Sequence, residues 1–363
     1  MNAAAQLHEA GQSLWLDNIT RGLLTSGQLA RYIAQASVTG LTSNPTIFDK
    51  AIAGSKDYDA QARKLRGRGL EPEQLFFELA LDDLKKAAAL FRPIWDQTQS
   101  RDGWVSLEVS PRLASDANST IAQARALHER AATPNLLIKV PGTVEGLPAI
   151  EALIFYGVPL NVTLLFSDEQ YLAAAGAYQR GLERRMAAGL DLNVASVASL
   201  FISRWDHATV DRLPDDLKDK LGVAMARRAY RAYRGVQASP HWKGLAAAGA
   251  RPQRLLFAST GTKNPAKPDT YYIEALAAPD TINTVPQPTL DAFIDHGRVG
   301  AMLPSDGGDA DEVVARVQGA GINVPELAST LQLEGAASFV KSWDDLLQVI
   351  SSKSAALMVE ARS

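Results

Sequence analysis

Eight short runs along the chain hold apolar residues in alternation or in unbroken stretches: SLWLD (13–17), VTGLT (38–42), WVSLEV (104–109), NLLIKV (135–140), PLNVT (159–163), NVASVAS (193–199), RLLFAS (254–259) and TINTV (281–285). Their length and β-branched content predict strands. Between them lie Ala-, Leu- and charge-rich segments with helical spacing, such as TSGQLARYIAQA, EQLFFELALDDLKKAAALF and SDEQYLAAAGAYQRGLERRMAA. This alternation predicts an α/β fold in which eight parallel strands close into a β/α (TIM) barrel. Additional helices and loops are expected around 54–76 and 218–253, and a last amphipathic helix in DDLLQVISSKSAALM. An open doubly wound sheet is the competing arrangement, but the GxGxxG that marks it is missing after the first strand. No Pro/Gly/Ser-rich linker, charge block or fixed-period repeat divides the chain, so 1–363 reads as a single domain.

Barrel strands are covered by helices outside and filled by side chains inside, so a polar side chain in them needs a partner or a purpose. Several strands break the apolar rule near their C-terminal ends. Alternation puts Leu14 and Leu16 on one face of the first strand and Trp15 and Asp17 on the other. Ser106 and Glu108 share a face, as do Asn161 and Thr163, and Lys139 interrupts the apolar run LLIKV. Each has a bland reading. Asp17 before Asn18 suits a turn or cap, Glu108 could pair with Arg112, Asn161 and Thr163 could satisfy loop backbone, and Lys139 could snorkel to an acidic partner. Together they put five polar groups at one level of one barrel, which a core avoids and an active site requires.

A lysine among Leu136, Leu137, Ile138 and Val140 is expected to have its ammonium form disfavoured, leaving amine to attack a carbonyl. The resulting protonated imine accepts electrons when a neighbouring carbon–carbon bond breaks, so neither metal nor organic cofactor is called for. Asp17 and Glu108 suit the two proton-transfer roles that remain, Thr163 could hold a water, and Asn44 and Asn161 could bind substrate hydroxyls. A phosphate end has candidates in Arg204 and in ASTGTKN, with Ser259, Thr260, Gly261 and Lys263, after the sixth and seventh strands.

Composition narrows the partners. With a formal net charge of -3 there is no basic field for nucleic acid or an anionic membrane surface. The basic runs RRAYRAYR (227–234) and RKLRGRG (63–69) read as solvated helix or turn faces. No cysteine is present, the five histidines lack paired metal-ligand spacing, and DGGDADE (306–312) lacks the EF-hand spacing. His8 and Glu9 interrupt the apolar core that a signal peptide needs. The expectation is a soluble cytoplasmic enzyme without metal or cofactor, acting on small molecules, with a homodimer left open.

In sequence order, LWLDNITRG, GLTSNPTIF, VSLEVSPRL, NLLIKVPGT, NVTLLFS and SLFISRWD resemble successive motifs of the transaldolase family, over roughly 13–264. The resemblance implies a class I aldolase-type barrel in which Lys139 forms a Schiff base with a ketose phosphate. It implies Asp17 as the acid/base of bond cleavage and Glu108 with Thr163 as the pair that handles the catalytic water. Asn44, Asn161 and Ser199 match substrate-binding positions, and Arg204 and Ser259 match phosphate contacts. The related fructose 6-phosphate aldolases tend to have Gln at Glu108 and Tyr at Phe201, so both residues favour the transferase. One departure follows the seventh strand, where many transaldolases have Ser-x-Arg and this chain reads Ser259-Thr260-Gly261-Thr262-Lys263. Lys263 is therefore expected to supply the missing cation. The alternatives are an aldolase releasing free dihydroxyacetone, a pyridoxal-phosphate barrel, and a non-catalytic sugar-phosphate-binding barrel.

Overall fold

The computed structural model describes residues 2–360. Eight parallel strands form the sheet: β1 (Ser13–Asp17), β2 (Val38–Thr42), β3 (Val105–Glu108), β4 (Leu136–Pro141), β5 (Leu160–Leu165), β6 (Ser196–Phe201), β7 (Arg254–Ala258) and β8 (Ile282–Val285). They pair in chain order and β8 returns to β1, closing the barrel. All eight expected strands are present. The sixth is displaced from the expected 193–199: it starts at Ser196 and runs on to Phe201, because the Asn193 amide is taken by the Asp191 side chain in a turn.

Alternation sorts the strand side chains between two packed regions. Leu14, Leu16, Val105, Leu107, Ile138 and Val140 pack outward with the surrounding helices. Trp15, Trp104, Leu137, Val197, Leu256 and Ile282 fill the barrel interior. Trp15 fits inside only because β2 has Gly40 beside it: a Cβ there would stand 2.5 Å from the indole ring.

Register then sets the level of the polar residues. Glu108 pairs with Lys139 and Lys139 with Asn161 across three neighbouring strands, while Asp17 pairs with Thr42. β5 is irregular between Val162 and Leu165, where Leu164 takes φ 64°, so the strand bulges beside Thr163. Bulges of this kind re-aim side chains at functional sites.

The segments expected as additional helices and loops contain helices Asp59–Arg66, Leu221–Ala238 and Pro240–Ala247. DDLLQVISSKSAALM proves to be the distal part of one 37-residue helix, Val324–Glu360. Gln332 of that helix donates to the carbonyls of Leu164 (2.8 Å) and Gly142 (3.2 Å), fastening it to the ends of β4 and β5. The arginines of RRAYRAYR are ion-paired, Arg227 with Asp309, Arg231 with Asp311 and Arg234 with Asp280. Among the described residues no helix is long and apolar enough to cross a membrane.

Candidate active site

At the C-terminal ends of the strands a cavity of roughly 120 Å³ is lined by Asp17, Lys139, Thr163, Ser199, Arg204 and Ser259, among others. Lys139 is 6% exposed, and its Nζ donates to Glu108 Oε2 at 3.2 Å and to the Ser43 carbonyl at 3.4 Å. The apolar setting expected for this lysine therefore also contains a carboxylate. Burial pushes the Glu108 carboxyl up, the Lys139 charge and hydrogen bond work against that, and the Asp17 charge adds to it. Asp17 is likewise pushed up by burial, opposed by the Lys139 charge and by a hydrogen bond from Thr42 at 2.8 Å. Two carboxyls thus flank one amine, both displaced toward their acid forms, an arrangement chemically able to pass protons.

The other predicted residues divide by what occupies their polar atoms. Thr163 Oγ1 is buried and has no hydrogen-bond partner among the described residues, so it is free to hold a ligand or water. Ser199 donates to Asn161 Oδ1 at 2.7 Å, and Asn161 donates to Ser106 Oγ at 3.1 Å, a buried chain that fixes both ends of the Asn161 amide. Asn44 is the N-cap of helix Pro45–Ala53: its Oδ1 accepts from the Ile47 amide at 3.0 Å, and its side chain still lines the cavity. Here the capping reading and the substrate reading are compatible, because capping uses the oxygen and leaves the NH2.

Arg204 follows β6 and lies 5.0 Å from the Phe201 ring centroid and 5.8 Å from that of Phe339. Its guanidinium makes no hydrogen bond or ion pair among the described residues, and burial opposes its charge. Ser259, at φ 56°, holds its hydroxyl 2.9 Å from that of Ser203 and lines the same cavity. Lys263 does not join them. It is exposed and lies outside the cavity lining, because the loop after β7 turns outward and is fastened by Thr262 donating to the Pro268 carbonyl. Of the two cations expected for a phosphate, Arg204 lines the cavity and Lys263 does not.

A sequence profile described as Transaldolase/Fructose-6-phosphate aldolase matches residues 14–350. The chain belongs to this family. It is 47% identical over 360 residues to a protein of Thermobifida fusca named transaldolase, covering 97% of this chain and 98% of that one. It is 45% identical over 351 residues to a transaldolase of Saccharopolyspora erythraea, covering 95% of each. A transaldolase of Neisseria gonorrhoeae is 42% identical over 348 residues, covering 96% of this chain and 99% of its own.

Four lining residues are not among those the sequence singles out: Thr42, Ala258, Thr284 and Phe339. Thr42 and Thr284 join the site through hydroxyls 2.6 Å apart, extending the contact to Asp17. Their signal was present, since both are polar residues at strand C-terminal ends. Phe339, whose ring centroid is 5.3 Å from Lys139 Nζ, comes from the helix Val324–Glu360. Nothing local to that helix distinguishes Phe339 from an ordinary packing residue.

Proposed function

We propose that the chain acts as a transaldolase, moving a dihydroxyacetone unit from a ketose phosphate (sedoheptulose 7-phosphate or fructose 6-phosphate) to an aldose phosphate. The observation that supports this most directly is the buried Lys139 Nζ at 3.2 Å from Glu108, in the cavity that also holds Asp17 and Thr163. Proton transfer from Lys139 to Glu108 frees the amine to attack the substrate carbonyl. Glu108, with a water held at Thr163, then manages loss of hydroxide from the carbinolamine as water, leaving a protonated imine. Asp17 takes the proton of the hydroxyl on the carbon that will leave. The adjacent carbon–carbon bond breaks, its electron pair passes into the imine as an enamine, and the aldose phosphate departs. The acceptor aldehyde reverses these steps, Asp17 returning its proton. Arg204 and Ser259 bind the phosphate, and Asn44, Asn161 and Ser199 the hydroxyls.

The reading covers 1–363 as one barrel domain in the cytoplasm, with sugar phosphates rather than nucleic acid or membrane as partners and the non-oxidative pentose phosphate pathway as setting. Sedimentation would decide whether it works as a homodimer.

Borohydride reduction with fructose 6-phosphate, followed by peptide mass spectrometry, tests the core of the proposal. The wild type is expected to carry a three-carbon adduct on Lys139 and to turn over only with erythrose 4-phosphate or another acceptor present. Lys139→Ala should give neither adduct nor turnover. Asp17→Ala should trap the uncleaved six-carbon adduct and lower turnover by about 10²- to 10⁴-fold. Release of dihydroxyacetone without an acceptor would replace the transferase with an aldolase, and full activity in Lys139→Ala would end the Schiff-base mechanism.

A further inference from the structure

Between Thr42, which donates to Asp17, and Asn44, which lines the Lys139 cavity, stands Ser43, a buried residue with no part in the proposed steps. It lies one residue beyond β2, at the joint where the barrel has the least strand pairing. There β2 and β3 are in register at a single pair, Leu41 opposite Val105, whereas β3 and β4 are in register at four. The Leu41 amide donates to the Trp104 carbonyl at 2.9 Å. The next step of a parallel ladder would take the Ser43 amide to the Ser106 carbonyl. It is the Ser43 hydroxyl that donates to that carbonyl, at 2.7 Å. With Ser43 only 1% exposed, no solvent stands ready to replace this bond if the hydroxyl is removed.

The carbonyl of the same residue faces the reacting amine. It accepts from Lys139 Nζ at 3.4 Å, while Glu108 Oε2 accepts from Nζ at 3.2 Å. The two acceptors therefore come from the two strand ends that the Ser43 hydroxyl ties together, that of β2 and that of β3. They differ in one respect. Glu108 can take a proton from Lys139, whereas a backbone carbonyl only accepts a hydrogen bond. The Ser43 carbonyl thus leaves the proton transfer to Glu108, and it still has a donor after condensation, because the iminium nitrogen keeps one N–H.

We propose that Ser43 is a positioning residue for the Schiff-base lysine. Its hydroxyl fixes the end of β2 against β3, so that its carbonyl holds one N–H of Lys139 and the amine lone pair is turned toward the substrate carbonyl carbon. The inference rests on the Schiff-base reading of the site and adds a residue that this reading does not use. Without the tie, Lys139 keeps Glu108 but loses its second fixed direction, and fewer encounters with the substrate carbonyl are productive.

Ser43→Ala removes the hydroxyl and Ser43→Thr keeps it. Each full-length variant is mixed with fructose 6-phosphate and excess borohydride, and the Lys139 adduct is followed by peptide mass spectrometry as it accumulates. In Ser43→Ala the adduct is expected to form about tenfold more slowly than in the wild type, and still to carry three carbons. Ser43→Thr should recover most of the rate. Adduct formation at the wild-type rate in Ser43→Ala would overturn the proposal, and so would equal rates in the two variants. A six-carbon adduct that builds up at the wild-type rate would overturn it too, since the tie would then serve Thr42 and Asp17 in bond cleavage rather than Lys139. Absence of any adduct in the wild type would instead remove the Schiff-base reading on which the proposal stands.

Discussion

Asp17 illustrates how one hydroxyl can tune a buried carboxyl. Burial favours its acid form, but the proposed cleavage step needs the carboxylate, so the groups that stabilise the ionised form decide the lower limit of the working pH range. One of them is the hydrogen bond from Thr42 Oγ1, itself 2.6 Å from the Thr284 hydroxyl. Thr42→Val keeps the shape of the side chain and removes the donor. The Asp17 carboxyl should then rise further, and the acid limb of the kcat–pH profile should move to higher pH. A merely structural role for Thr42 would lower activity equally at every pH, which a full profile separates from a displaced limb. Borohydride trapping at neutral pH supplies a control, because imine formation depends on Lys139 and Glu108 and should persist in the variant.

The element that the sequence described least well is the helix Val324–Glu360. Its presence was readable in DDLLQVISSKSAALM, but its role was not, because the residues that matter are defined by what they meet at sequence separations of more than 130. Gly335 lets the helix approach the barrel mouth: a Cβ there would come within 3.0 Å of both Arg204 Nη1 and Leu164 Cδ2. One turn on, Phe339 closes the apolar side of the cavity against Phe201, their ring centroids 6.3 Å apart. Gly335→Val should therefore displace Arg204 or lift the helix. With overpacking typically costing about 1–3 kcal/mol, KM for the ketose phosphate should rise about tenfold while the Lys139 adduct still forms. Phe339→Ala opens the cavity to water, and the ratio of acceptor-independent dihydroxyacetone release to transfer should increase. An unchanged ratio would mean that the Phe339 ring does not shield the enamine.

At the scale of the whole molecule, the barrel was legible because its signals are local and repeat eight times. The level of the polar belt was legible too, since alternation places Asp17, Glu108, Lys139, Asn161 and Thr163 once the strands are known. What the sequence could not give was set by loop paths and distant packing: the outward course of Lys263, the Thr42–Thr284 contact, and the ties between the layers outside the barrel. Asp206 is one such tie. From helix Ser203–Thr209 it accepts hydrogen bonds from the Gly222 amide at 3.0 Å and the Tyr272 hydroxyl at 2.7 Å, joining the segments after β6 and β7. Burial pushes its carboxyl from 3.8 up to about 6, against those hydrogen bonds and with a further push from the Asp219 charge. An acid raised in the folded state contributes stability that is fully present below its unfolded pKa and is lost as pH rises through the folded one. The window here runs from about 3.8 to about 6. Asp206→Asn keeps an acceptor for Gly222 and cannot ionise, so the loss should vanish. Relative to the wild type, the variant's unfolding free energy should improve across that window by on the order of 3 kcal/mol. Comparing wild type and variant by denaturant titration at several pH values cancels the contributions of Asp17 and Glu108, which are raised in both. A difference that stays constant from pH about 4 to about 7 would mean that Asp206 does not titrate in this window.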